Sequence, residues 1–537
     1  MRKDRPKRKG PFMKKQTKGI VMFAFLGGIM ATSGVVIGIP GTQPEQGPMQ
    51  ASADPSEYYP VEERPRFCGT DEASSTPYVT EYEIPTPCTN PVGIAVDGDG
   101  AVWFAQANTG SLGRFDPSNG TFTQLTNPSW QAGSATNSMM WGAAAAPDGS
   151  VWYTEDRFNS IWRYSASDDQ YTRFALANPG QNLLPQKIAF AGSQIIVNDF
   201  LRELPAGDTS ARSGLILFDP AQDPLSVSYV TVPPPNSFGL TSGFAIDGSL
   251  IWYTNWDGVS PGFLVRFDRD AYESAGAAAG ETVDTVRFTS SYNLPDGLLN
   301  PNGITQAAGR LWMADTASSY FFSFDPVTEQ FTRYVTSVPR PDAYGNHTGV
   351  VLDPQSRPYW MVSDGQDRVA FNEQTGNAIG LFDPATEALV EYRVPSSNPF
   401  WSDCEPATGL PIEDCGLAQV LDIAADGDRI WFTEWVENAL GMVDTSAPLP
   451  FGISLDASSV EAVPGGSASV SYAVPPSAEP VASSAHEGIG VALGMEGGAA
   501  RASVTVGPGV QPGEYKVLLG ARDADVTISR YLTVVVR

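Results

Sequence analysis

Residues 93–106 read GIAVDGDGAVWFAQ, and this phrase decides the fold. It holds an apolar run, an Asp-Gly turn and a second apolar run marked by Trp103. Close copies are GAAAAPDGSVWYTE at 142–155, GFAIDGSLIWYTN at 243–255, GITQAAGRLWMAD at 303–315 and DIAADGDRIWFTE at 422–434. KIAFAGSQIIVND at 187–199 and GVVLDPQSRPYWMVSD at 349–364 are blurred copies, with Ile196 and Tyr359 or Trp360 in the landmark place. Two short runs around a tight turn predict a hairpin in each copy. Third runs such as LGRFDP at 112–117, LILFDP at 215–220, LVRFDR at 264–269, FFSFDP at 321–326 and IGLFDP at 379–384 follow, and each precedes a fourth of alternating polar and aromatic residues. Period-two alternation marks strands with one buried face.

Four short strands recurring at this spacing predict the blades of a β-propeller. The seventh copy ends at Asp444 without a fourth strand, while YVTEYEIP at 78–85 resembles VEYRVP at 390–395. The fold expected is therefore all-β: a seven-bladed propeller over 78–446, closed by its N-terminal strand. Closure removes sheet edges that would otherwise recruit other chains. Residues 451–537 lack the landmark Trp and offer alternating strands such as SASVSYAV and TISRYLTVVVR, which predict an immunoglobulin-like sandwich.

The ends of the chain give its address. Residues 1–18 carry a charge of +8, and the remainder carries −35 of the total −27. The apolar segment 19–40 is long enough to span a bilayer, and the basic tail before it stays inside by the positive-inside rule. It is either an uncleaved signal anchor or a signal peptide cut after Ala51-Ser52-Ala53; residues 41–77 form a linker. Both readings place the rest outside the cell. Cys68, Cys88, Cys404 and Cys415 all follow that segment and predict two local disulfides. Asn119 and Asn346 lie in glycosylation sequons. So acidic a surface repels phosphates, which excludes nucleic acid as a partner.

Candidate chemistry sits at the ends of the second strands: Gln106, Glu155, Asp199, Asn255, Asp315, Ser363 or Asp364, and Glu434. Propeller symmetry would bring these near one rim of the channel, where converging carboxylates hold a cation or shift one another's pKa. Glu155, Asp315 and Glu434 are the expected metal ligands. His347, at the start of the sixth copy, is the propeller's one histidine and a candidate proton-transfer group beside Glu434.

EIPTP at 83–87, NPVGIAVDGDGAVWF at 90–104 and WFTEWVENALGMV at 431–443 resemble the virginiamycin B lyase family of streptogramin lyases. The resemblance covers 78–446. It implies a propeller in which magnesium and His and Glu residues near the channel open a cyclic depsipeptide ester by elimination. The family's Pro-His-Gly-Ile phrase meets Val92, Asn302, Thr348 and Leu421 here. His347 is displaced from that place by one residue, and Glu434 lies one position before the family's glutamate. Two functions follow: a binding or interaction propeller taking a small-molecule or surface-protein ligand at its rim, and a metal-assisted lyase using His347 and Glu434, with magnesium or another divalent cation. A sugar-lactone hydrolase of related propeller type is a third reading.

Overall fold

In a computed structural model, residues 54–537 are described apart from 71–72, 131–137, 157–158, 177–182, 201–212, 226, 236–238, 259–261, 280–282, 345–354, 403, 405–414 and 497–498. The segment 19–40 lies outside these residues. Among the described ones no helix is long and apolar enough to cross a membrane.

The repeated phrases fold into four-stranded antiparallel sheets. The first contains Pro91–Val96, Val102–Gln106, Ser111–Asp116 and Thr121–Leu125, and the same meander recurs within 143–175, 185–232, 240–293, 301–335 and 358–393. The last sheet takes three strands from 420–444 and its fourth, Val79–Glu83, from the N-terminal side. That strand pairs antiparallel with Ala439–Asp444, in the register Val79↔Val443 to Glu83↔Ala439. The first strands of successive sheets touch in order, and the last touches the first again. The arrangement is propeller-like.

The two sequence landmarks pack on each other. In four sheets the second-strand Trp meets the third-strand aromatic of the next: Trp103 on Tyr164, Trp252 on Phe324, Trp312 on Phe382, and Trp431 on Phe115. The last of these pairs joins the final sheet to the first. All five landmark Trp side chains are buried, so each adds a large apolar contact between sheets.

A polar contact accompanies this packing. Thr154 accepts the N–H of Gly142 in its own sheet and donates to the carbonyl of Gln186 in the next, at 3.1 and 2.6 Å. Asn198, Asn372 and Thr433 repeat the double contact, and Thr254 repeats its outward half. Thr433 reaches Val92 in the first sheet. Register shifts near the start of most first strands, such as Val420/Ile423, free the N–H that these side chains take up. Glycine often follows for close approach: a Cβ on Gly142 would lie 2.4 Å from the Gln186 oxygen, and one on Gly303 would lie 2.4 Å from that of Tyr359.

The sixth sheet corrects the sequence reading. Pro358–Ser363 is its first strand, and Val369–Glu373 is its second. Ala370 therefore takes the landmark place, and Trp360 belongs to the innermost strand.

The C-terminal strands do not stand apart. Ser467–Tyr472, Ala499–Val506 and Ile489–Glu496 form one small sheet. Val526–Val536 joins Gly513–Arg522 and also pairs with Ala388–Arg393, the outer strand of the sixth sheet, from Ala388↔Arg530 to Tyr392↔Val526. One continuous eight-stranded sheet results. Tyr531 packs on Tyr334 and Phe382 and donates to the Val335 carbonyl at 2.6 Å. Lys516 pairs with Glu387 across the same junction.

Replacing Thr433 by Val keeps the shape but leaves the Val92 carbonyl and the Asp422 N–H unpaired. A loss of about 1–3 kcal/mol is expected, read from urea unfolding; an unchanged midpoint would show that the contact contributes nothing.

Candidate functional site

The polar residues that end the second strands face the first residues of the innermost strands, as in Pro91↔Gln106, Pro185↔Asp199, Pro301↔Asp315 and Val420↔Glu434. In the sixth sheet the equivalent pair is Pro358↔Glu373. Glu373, not Ser363 or Asp364, holds that position; Asp364 instead accepts from Arg368 in the hairpin turn.

These groups are buried and turned into their own sheets. Glu155 accepts from Trp130 Nε1, Trp162 Nε1 and Ser138 Oγ at 2.6, 2.6 and 3.2 Å. Asp315 accepts from the backbone N–H groups of Asn300 and Ala317 and from Ser318 Oγ. Burial raises both pKa values, and the hydrogen bonds oppose it. Each carboxylate thus ties the turns around its own strand end. Among the described residues, no three His, Cys, Asp or Glu side chains form a metal-holding group, so Glu155, Asp315 and Glu434 are not gathered into one. His347 and Asn346 lie outside the described residues. Asn119 sits on an exposed turn, where its side chain accepts from Thr121 N–H.

Glu434 differs from the others. It is fully buried, and neither carboxyl oxygen receives an N–H or hydroxyl. Its contact is with the carboxyl of Glu81 on the closing strand, and Glu437 is also near. Glu81 accepts from Ser74 N–H, Ser396 N–H and Ser396 Oγ at 2.9, 2.8 and 2.6 Å. Two acids touch only with a proton between them, and the acceptor-rich partner is Glu81. The proton therefore sits on Glu434, whose pKa is pushed well up, first by burial and then by the neighbouring acids.

Residues within 64–90 pack against the loops of the last two sheets at the same end. Cys68 is bonded to Cys88 and Cys404 to Cys415, as suits an oxidising compartment. The short helix Arg64–Phe67 lies beside the last sheet: Phe67 packs on Trp401 and Trp435, and Asn90 donates to the Phe67 and Trp435 carbonyls.

Deeper on the axis, Lys187 of the third sheet forms an ion pair with Asp422 of the last. Its ammonium lies 4.2 Å from the Trp360 ring centroid, and Asp422 also accepts from Ile94 N–H. The innermost strands of four sheets are thus tied through one lysine. Burial lowers the Lys187 pKa and raises that of Asp422, while each charge holds the other ionised. Sequence reasoning passed over this pair. Its signal was the lysine itself, one of two beyond Lys18, standing where four other copies have glycine and the last has Asp422. It also passed over Glu391, which is buried beside Glu373 and accepts from Ser337 N–H at 2.8 Å.

No family model and no curated protein matches the chain. Solved structures do. The chain is similar to virginiamycin B lyase. The structure of that enzyme from Staphylococcus aureus is 17 % identical, with a TM-score of 0.48 over 70 % of this chain and 99 % of that one. A streptogramin B lyase structure is 18 % identical, with a TM-score of 0.47 over 68 % and 97 %. A putative gluconolactonase is 10 % identical, with a TM-score of 0.34 over 74 % and 98 %.

The buried proton of Glu434 has a pH signature. The unfolded chain releases it above the ordinary glutamate range while the folded chain keeps it, so this group makes stability fall as pH rises, by up to about 1.4 kcal/mol per pH unit. In Glu434→Gln that contribution vanishes. Urea unfolding between pH 5 and 8 is expected to decline less steeply in the variant; parallel curves would contradict the assignment.

Proposed function

We propose that the chain is an exported seven-bladed propeller joined to an immunoglobulin-like sandwich, held at the outer face of the membrane by segment 19–40. In this reading it works as a binding or interaction module for a small molecule or a surface protein. One observation carries it: the polar groups that a lyase would aim at the axis are used by the protein itself. Lys187, Asp422 and Trp360 occupy the axis together, and the strand-end acids Glu155 and Asp315 bond to their own sheets and the adjoining loops.

The lyase reading fits these residues poorly. A magnesium ion needs several oxygen ligands around one point, and Glu155 and Asp315 are each enclosed by donors from their own sheet and the adjoining loops. Glu434 is held in its protonated form, the wrong one for a general base. A binding module needs instead a concave surface with rings and a few polar groups. Such a surface lies where the fifth sheet faces the C-terminal strands, around Phe331, Arg333, His486 and Tyr515.

Incubating the full chain in detergent with a type B streptogramin, with and without magnesium, is expected to leave the depsipeptide ring closed by mass spectrometry. Ring opening that disappears in both His347→Ala and Glu434→Gln would establish the lyase in its place.

A further inference from the structure

The cleft between the fifth sheet and the C-terminal strands has a volume of about 560 Å³ and opens to solvent. It exists because the Val526–Val536 strand extends the sixth sheet, bringing the turn at 485–488 and the start of Gly513–Arg522 over the neighbouring sheet. Its lining is unlike the rest of the molecule. The chain beyond residue 18 carries a charge of −35, yet here Arg310, Arg333 and Lys516 outnumber the two lining carboxylates, Glu387 and Glu514.

The three cations are not equivalent. Lys516 is neutralised by both carboxylate oxygens of Glu387. Arg333 donates only to the Ala485 and Asp296 carbonyls and lies over the Tyr320 and Phe322 rings; among the described residues no carboxylate forms a salt bridge with it. Arg310 has its ion-pair partner, Asp325, at 3.8 Å, near the limit of contact. Two guanidinium groups therefore keep charge and donors for an anion, and guanidinium matches carboxylate with paired hydrogen bonds.

Rings complete the surface. His486 meets Tyr515 edge-on, with centroids 4.7 Å apart. The His486 Nδ1 accepts from Gly488 N–H at 2.9 Å, which leaves Nε2–H as a donor in the neutral ring. Burial and the Arg333 charge both favour that neutral form. Phe331 adds an apolar face on the other wall. Rings with polar neighbours suit a ligand that is apolar on its faces and hydroxylated at its edges.

We propose that this cleft binds an acidic oligosaccharide, with uronate carboxylates on Arg310 and Arg333 and sugar rings against Tyr515, His486 and Phe331. The proposal rests on the binding reading above and names its ligand class.

Isothermal titration of the full chain in detergent with a short oligogalacturonate tests it, against a neutral maltooligosaccharide and short poly-glutamate. Saturable binding of the uronate alone is expected, weakened at least about tenfold in Arg310→Ala and in Tyr515→Ala at unchanged melting temperature. Equal binding of poly-glutamate would reduce the cleft to a site for any acidic peptide and overturn the sugar assignment. Equal binding of the neutral sugar, or no uronate binding, would overturn it as well. Should Tyr515→Ala unfold, Tyr515→Leu, which keeps bulk but not the ring, is expected to bind as weakly. These failures leave the wider binding reading standing; only depsipeptide turnover removes that.

Discussion

A carbonyl near the start of an innermost strand points towards the neighbouring sheet and needs a donor. In five sheets the donor is one Thr or Asn side chain from the sheet before, and in four of these the same side chain accepts the N–H freed at the head of its own innermost strand. Buried backbone groups are rarely left unpaired, so this contact dictates how close successive sheets stand. Where the first sheet has Ala105 instead, Gly93 donates its own N–H to the Met140 carbonyl at 2.9 Å. The geometry is kept by other means. Closure follows from the same rule, because Thr433 finds its acceptor only if the last sheet meets the first.

Closure leaves outer edges, and one of them is used. The sixth sheet's outer strand is continued by the chain's final strand, so its backbone groups are paired rather than left to recruit another chain. The junction adds the Lys516–Glu387 pair and the Tyr531 contacts to the backbone ladder. A domain joined by sheet extension has little freedom to swing, and a cleft between the two parts keeps its shape.

Much of this was legible in the sequence. The Trp and the Phe-Asp-Pro landmarks appear there as separate signals, and packing Trp312 on Phe382 gives them a common cause. The orphan strand near residue 80 was readable because a strand was missing at the other end. The sixth copy misled because Tyr359 and Trp360 imitate the landmark, whereas VAFNE at 369–373 carries alanine there and keeps only the acidic end. The strand-end acids were visible as a periodic set. Whether they point to the channel or into their sheets depends on the Trp130, Ser138 and Trp162 donors around Glu155, which no spacing rule brings together. That the C-terminal strands join the sixth sheet was not legible, because edge pairing leaves no pattern in either partner alone.

Ring closure by the N-terminal strand is the claim on which the site geometry depends, since Glu81 and its contact with Glu434 arrive with that strand. Hydrogen exchange of the full chain followed by mass spectrometry addresses it directly. Amides of Val79–Glu83 should be as protected as those of Ala439–Asp444 and should open together with them. Exchange of 79–83 within seconds, while 439–444 stays protected, would show that the strand does not close the ring.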